Sequence, residues 1–270
     1  MERQEIFLQG HRGCRGLFPE NSLSAFRKAF ELGVDAIELD VVVSADEKII
    51  VSHEPFMDHL LCKKPDGSAI AESEAKSLNL YKMKAAEIAA FSFGELDYSK
   101  FPQQKKIESH KLSLLEVVKV LGTEWEENFP QLTIELKSHK SGDNKYHPDP
   151  ESYADIFMQT LDRIPHEWPI AIQSFDVRIL KALDALQVDL PLIFLNDNKE
   201  IEVEEICEEL KFVPEGWGSS HELIGENLID ACFELGLELS AWTVNDKVEA
   251  ERLFGLGVRN FITDYPNLFI

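Results

Sequence analysis

Cysteine is scarce in this sequence, with four residues in 270 (Cys14, Cys62, Cys207 and Cys232). They form no CxxC pair and no zinc-type spacing, so a disulfide framework and a thiolate metal site are both excluded. Basic residues are also few: 27 Lys and Arg stand against 49 Asp and Glu, a net charge of −22. That balance excludes sequence-independent binding to nucleic acid or to anionic lipid, because phosphate neutralisation needs a surplus of cations. Any anionic substrate must be drawn in locally. Long apolar runs are missing too. Stretches such as PLIFL (191–195) are typical of the longest, far below the roughly 18 residues of a membrane span, so no stable membrane insertion is expected. The opening MERQEIFLQG lacks a basic region followed by an apolar core. A cytoplasmic location is therefore expected, or a periplasmic or secreted one if a leader has been removed.

What is present is enough apolar residue, 44%, for an ordinary globular core. Short apolar strands alternate with helical patterns. Strands are expected at 6–10, 35–43, 131–138, 168–175, 190–196, 211–218, 237–245 and 259–265, and helices at 22–33, 113–122, 152–164, 176–187, 226–236 and 246–257. Asn21 or Ser22 can cap the first helix, and Gly33 can stop it. An acidic helix is expected at 200–210, with Ile206 and Leu210 inward. Eight strands alternating with helices predict an α/β fold, a (β/α)8 TIM barrel that uses the whole chain, 1–270, as one domain. Two segments break the rhythm. SADEK followed by IIVSHEP predicts a hairpin leaning back on the second strand. Residues 54–110 are too long for a connection and predict a small insertion over the barrel mouth, with a short helix near 82–90.

Chemistry concentrates on two strands. In AIELDV, period-two alternation puts Glu38 and Asp40 on one side and Ile37 and Leu39 on the other. The apolar pair suits the helix-packed outside, leaving two inward carboxylates that repel and require a cation. QLTIELKS repeats the pattern with Glu135 and Lys137. Three carboxylates form an all-oxygen set that selects a hard divalent cation, magnesium or calcium, over zinc. His11 ends the first strand, and His53 ends the returning hairpin strand, which brings it back towards Glu38 and Asp40. Two imidazoles beside a hard cation suit general acid–base chemistry. Arg12 offers a fork of donors to a tetrahedral oxyanion. His59, His110, His139, His147, His166 and His221 are read as structural.

HRGCRGLFPENSLSAFRKAFELGVDAIELDVVVSADEKIIVSHEP (11–55) closely resembles the signature of the glycerophosphodiester phosphodiesterases, and the likeness continues in IELK (134–137), QSF (173–175), WTVN (242–245) and ITDYP (262–266). The resemblance implies a phospholipase-C-like barrel with an insertion after the second histidine. It implies His11 and His53 as the catalytic acid–base pair and Glu38, Asp40 and Glu135 as metal ligands. Arg12 and Lys137 match phosphate-contacting cations, and Trp242 a pocket wall. In the PEN motif, Glu20 would help hold the site while Asn21 caps the helix. Three departures stand out: Glu54 where many relatives have Asp, Ser22 in place of Thr, and a SADEK turn without glycine.

The activity implied is hydrolysis of a small glycerophosphodiester to glycerol 3-phosphate and an alcohol. Set against the three carboxylates, a divalent ion with Arg12 and Lys137 would leave the site positive by about one unit. The rival readings are a phospholipase D-like or phosphoinositide-type lipid phosphodiesterase on the same barrel, or a phosphate-binding barrel without catalysis.

Overall fold

The computed structural model describes residues 1–125, 129–165 and 168–270; His166 falls outside the described residues. The barrel strands are β1 (Phe7–Gly10), β2 (Ala36–Val43), β7 (Gln131–Leu136), β8 (Ile170–Ser174), β9 (Leu192–Asn196), β10 (Gly216–Ser220), β11 (Glu238–Trp242) and β12 (Asn260–Thr263). Each pairs in parallel with the next, and β1 closes the ring by pairing with both β2 and β12. This is a closed eight-stranded (β/α)8 barrel. Around it lie α1 (Leu23–Glu31), α4 (Leu114–Trp125), α5 (Pro150–Leu161), α6 (Val177–Ala185), α7 (Val203–Leu210), α8 (Glu226–Leu235) and α9 (Lys247–Gly255). No helix among the described residues is long and apolar enough to cross a membrane.

Alternation on β2 sets the layers. Ile37, Leu39 and Val41 join Ala25, Phe26 and Ala29 of α1 in the main core, all fully buried. Glu38 and Asp40 take the opposite side, and Val42, next in that series, belongs to a second apolar cluster with Ile50, Met57, Leu80 and Ile88. The face that carries the carboxylates thus becomes the floor of the 54–110 segment. The hairpin strand β3 (Ile49–Val51) runs antiparallel to β2, with Val41 opposite Val51. Beyond it come β4 (Cys62–Lys63), α2 (Glu72–Ala75), α3 (Ala85–Ile88), β5 (Ser92–Phe93) and β6 (Ser109–His110), with β4, β5 and β6 forming a small antiparallel sheet. The helix expected near 82–90 is a single turn, α3, preceded by a 3₁₀ turn at Leu80–Lys82.

Two sequence expectations need revision. The strand placed at 211–218 begins later, at Gly216: Lys211 adopts a left-handed conformation (φ 68°) that ends α7, its N–H donating to the Cys207 carbonyl. Pro214, which has no N–H, lies in the connection that follows. Capping of α1 falls to Ser22 alone, whose side chain accepts from Ala25 N, and Asn21 is used elsewhere. The acidic helix matches its expected pattern, with Val203, Ile206 and Leu210 buried and its glutamates outward.

The loop from β1 to α1 is tightly folded. Gly13 sits at φ +87°, where a Cβ would lie 2.7 Å from the Ala25 carbonyl carbon. Overpacking against backbone adds to the cost of a left-handed conformation. Gly13→Ala is expected to destabilise the protein by about 2–4 kcal/mol, read as a lowered urea midpoint. A midpoint equal to the wild type's would refute this account.

Candidate active site

The site lies at the C-terminal ends of the barrel strands, where side chains from neighbouring strands converge. Register places Asp40 of β2 beside Glu135 of β7, with Glu38 one strand-step below. All three are at least nine-tenths buried, and one ligand oxygen from each lies within 4.8 Å of the others. Burial and the charges of Asp40 and Glu135 hold the Glu38 carboxyl well above the usual range. Burial would do the same to Asp40, but Arg12, His53 and Lys137 outweigh it and hold that carboxyl well below. Glu135 is raised by burial, against the pull of Lys137. Asp40 Oδ1 is buried without a hydrogen-bond donor. An orphaned carboxylate oxygen inside a repelling oxygen cluster fits a hard divalent cation.

Backbone strain serves this cluster. Arg12 (φ 50°) and Asn21 (φ 54°) are both left-handed without being glycine, a conformation that costs energy and recurs at functional sites. Arg12 N donates to Glu38 Oε2 at 2.9 Å. Asn21 Nδ2 donates to Asp40 Oδ2 at 2.9 Å, and its Oδ1 accepts from Asp40 N. Asn21 is thus a brace on Asp40, not a helix cap. Glu20 accepts from Arg12 Nη1 at 2.9 Å, while Arg12 Nε lies 3.1 Å from Asp40 Oδ2. Lys137 Nζ donates to Glu135 Oε1 at 2.7 Å and stands 3.6 Å from Asp40 Oδ1.

His11 Nδ1 donates to Asp264 Oδ1 at 2.7 Å, which leaves Nε2 free, 3.9 Å from Glu38 Oε2. Burial lowers the His11 pKa to about 4, although Asp264 opposes the shift. His53 comes in from the end of β3 and pairs through Nδ1 with Glu54 Oε1 at 2.8 Å. Both histidines, Arg12, Glu38, Glu135, Lys137 and Trp242 line one cavity of about 390 Å³. Trp242 Nε1 is fixed to the Gly218 carbonyl, and its ring meets Phe175 edge-on at 5.6 Å.

Sequence reasoning missed several members. Asp264, at the end of β12, accepts from His11, from Arg15 (Nε at 2.8 Å, Nη2 at 3.1 Å) and from Asn245 Nδ2 at 2.7 Å. Gln173 of β8 donates to Glu38 Oε1 at 3.1 Å. Gln173, Asn245 and Asp264 all lie in the matched QSF, WTVN and ITDYP motifs, but only the folded chain shows their partners. They also change the charge sum. Glu20 and Asp264 join the three ligand carboxylates, and Arg15 joins Arg12 and Lys137. Five anions thus face three cations, so a divalent ion brings the site to neutrality and not to a positive excess.

The sequence profile of the glycerophosphoryl diester phosphodiesterase family matches residues 11–268. A glycerophosphodiester phosphodiesterase from Caldanaerobacter subterraneus is 27% identical over 96% of this chain and 94% of its own length. A family protein from Silicibacter pomeroyi superposes with a TM-score of 0.87 at 25% identity, covering 97% of this chain and 91% of that one. An Oleispira antarctica phosphodiesterase in complex with the product sn-glycerol-3-phosphate shares the fold, with a TM-score of 0.76 at 22% identity over 97% and 94% of the two chains. With the profile spanning nearly its whole length, the chain belongs to the glycerophosphoryl diester phosphodiesterase family.

Proposed function

We propose that the protein hydrolyses glycerophosphodiesters, releasing glycerol 3-phosphate and a free alcohol. The observation that carries this reading is the free Nε2 of His11, which faces the buried Glu38–Asp40–Glu135 cluster inside a cavity also lined by His53. Glu38, Asp40 and Glu135 would hold magnesium or calcium, which when bound supplies charge neutralisation at a phosphoryl oxygen. Lys137 adds a cation beside the same oxygens. Arg12, held by Glu20 and Asp40, acts mainly through its charge and its backbone donor to Glu38.

The histidines divide the work by environment. His11, with 12% of its side chain exposed, stays neutral, with its Nδ1 proton fixed by Asp264, so Nε2 is the acceptor for the nucleophile's proton. His53 is more open to water, with 28% of its side chain exposed, and Glu54 holds its ring in place through Nδ1. It donates to the departing alkoxide. Trp242 and Phe175 wall the cavity against water.

The test is release of glycerol 3-phosphate from glycerophosphocholine and glycerophosphoethanolamine in chelator, magnesium or calcium. Metal-dependent release that falls at least about 100-fold in His11→Ala and in His53→Ala supports the assignment. No release with either metal would overturn it. In that case, activity on lipid vesicles would favour a lipid phosphodiesterase, and phosphate binding without turnover would favour a non-catalytic barrel. In chelator, substrate protection against thermal unfolding should also vanish, because the anions then outnumber the cations.

A further inference from the structure

Beyond the charged side chains that would bind the phosphate, the cavity has a buried part lined by uncharged residues and a rim that carries charge. Gln173, Leu195 and Ile262 line its interior, each no more than 3% exposed. Lys100 and Asp197 line the same cavity but are exposed. They come from different parts of the fold, Lys100 from the 54–110 segment and Asp197 from the residue just after β9. Neither forms an ion pair with any described residue, although such pairs are frequent among the described residues, many of them on the exposed surface. Lys100 Nζ lies only over the Phe101 ring, 5.9 Å from its centre. One unpaired cation and one unpaired anion therefore stand at the mouth of a single pocket.

A phosphodiester anchored at the histidines and carboxylates has two arms to place. The glycerol arm is uncharged, so it can enter the buried part at no cost in charge desolvation, whereas a charged alcohol arm must stay where water and counter-charges are available. From this division we propose that Lys100 and Asp197 select the alcohol, and that the favoured alcohol is zwitterionic, with an ammonium for Asp197 and a carboxylate for Lys100. Glycerophosphoserine has this pattern. Glycerophosphoethanolamine carries the ammonium alone, and glycerophosphoglycerol carries neither group. The inference rests on the phosphodiesterase reading of the same site.

The experiment compares kcat/KM for these three diesters in the metal-loaded wild type, Lys100→Met and Asp197→Asn. Exposed charge pairs are each worth a few-fold at most, so the wild type should prefer the serine diester over the glycerol diester by about five- to ten-fold. Lys100→Met should bring the serine-to-ethanolamine ratio to about one. Asp197→Asn should reduce the ethanolamine-to-glycerol ratio and leave a preference for any diester with a carboxylate. Raising the salt concentration should compress all three ratios. Comparable turnover of all three diesters by the wild type, or ratios that neither variant moves, would overturn the inference while leaving the phosphodiesterase reading intact. Turnover of none of them would overturn both.

Discussion

Asp264→Asn is expected to lower kcat by about 10²–10⁴-fold in protein that is still folded at 25 °C. The aspartate accepts the His11 Nδ1 proton at 2.7 Å, and this bond keeps the Nε2 lone pair in the cavity. An asparagine has one acceptor oxygen where four donors converge, from His11, from two nitrogens of Arg15 and from Asn245. Asn245 cannot turn to compensate, because its Oδ1 already accepts from Asp264 N and Thr263 Oγ1. With the carboxylate gone, the imidazole can take the other tautomer, which offers a proton where an acceptor is needed. Kinetics separate this from simple damage. If Asp264 acts through His11, then the double variant with His11→Ala should be little slower than His11→Ala alone. A folded Asp264→Asn protein with kcat within about three-fold of the wild type would remove Asp264 from the mechanism.

The same substitution has a stability cost with a defined pH dependence. Arg15, side chain 9% exposed, loses its bidentate partner, and breaking a buried pair typically costs about 3–5 kcal/mol. His11 and Arg15 hold the Asp264 carboxyl far below the usual range. A depressed carboxyl contributes stability that is present above its unfolded value of about 4 and is lost as pH falls towards the folded value. Denaturation midpoints of Asp264→Asn should therefore lie below wild type at neutral pH. The two should converge as pH drops below about 4. A constant gap between them would show that the cost is steric.

Much of this site was legible in the sequence because strands impose a strict period. Once AIELDV is a barrel strand, Glu38 and Asp40 must share a face, and the apolar Ile37 and Leu39 say which face it is. IELK repeats the argument, and the register of β2 against β7 then puts Asp40 beside Glu135. Loops follow no such rule. Asn21 looks like a helix cap by position and type, but its left-handed backbone turns the amide onto Asp40 while Ser22 caps α1. Asp264 lies 253 residues from His11 in sequence and meets it only because β12 closes the barrel on β1. The charge sum failed for the same reason. The PEN motif does not mark Glu20 as the counter-ion of Arg12, and Asp264 with its partner Arg15 meets His11 only in the closed barrel, so Arg12 entered the sum as a free cation and the Arg15–Asp264 pair did not enter it.

Glu38→Gln should raise the melting temperature of the metal-free protein while abolishing the response to metal. In the absence of a cation, Glu38 is buried against the charges of Asp40 and Glu135, and its carboxyl is held well above the usual range. A carboxyl raised in this way leaves stability intact below its unfolded value and takes stability away as pH rises through the folded one. Glutamine is the neutral isostere of the form that burial favours. It can also be accommodated: its Oε1 can accept from Arg12 N, and its Nε2 can donate to Gln173 Oε1, a buried acceptor now without a partner, once that amide turns. The expected gain is about 1–2 kcal/mol at pH 8, and it should shrink as pH falls towards 5. The wild type gains differently. A cation at 100 times its dissociation constant adds about 2.7 kcal/mol, or several degrees in Tm for a chain of this size, and should lift the wild type above the variant. The two proteins should thus exchange rank between chelator and saturating magnesium or calcium, with turnover lost in the variant. An equal rise in Tm on adding metal would show that the cation binds elsewhere. A variant less stable than wild type in chelator would show that Glu38 is held by its hydrogen bonds more than it is opposed by its neighbours.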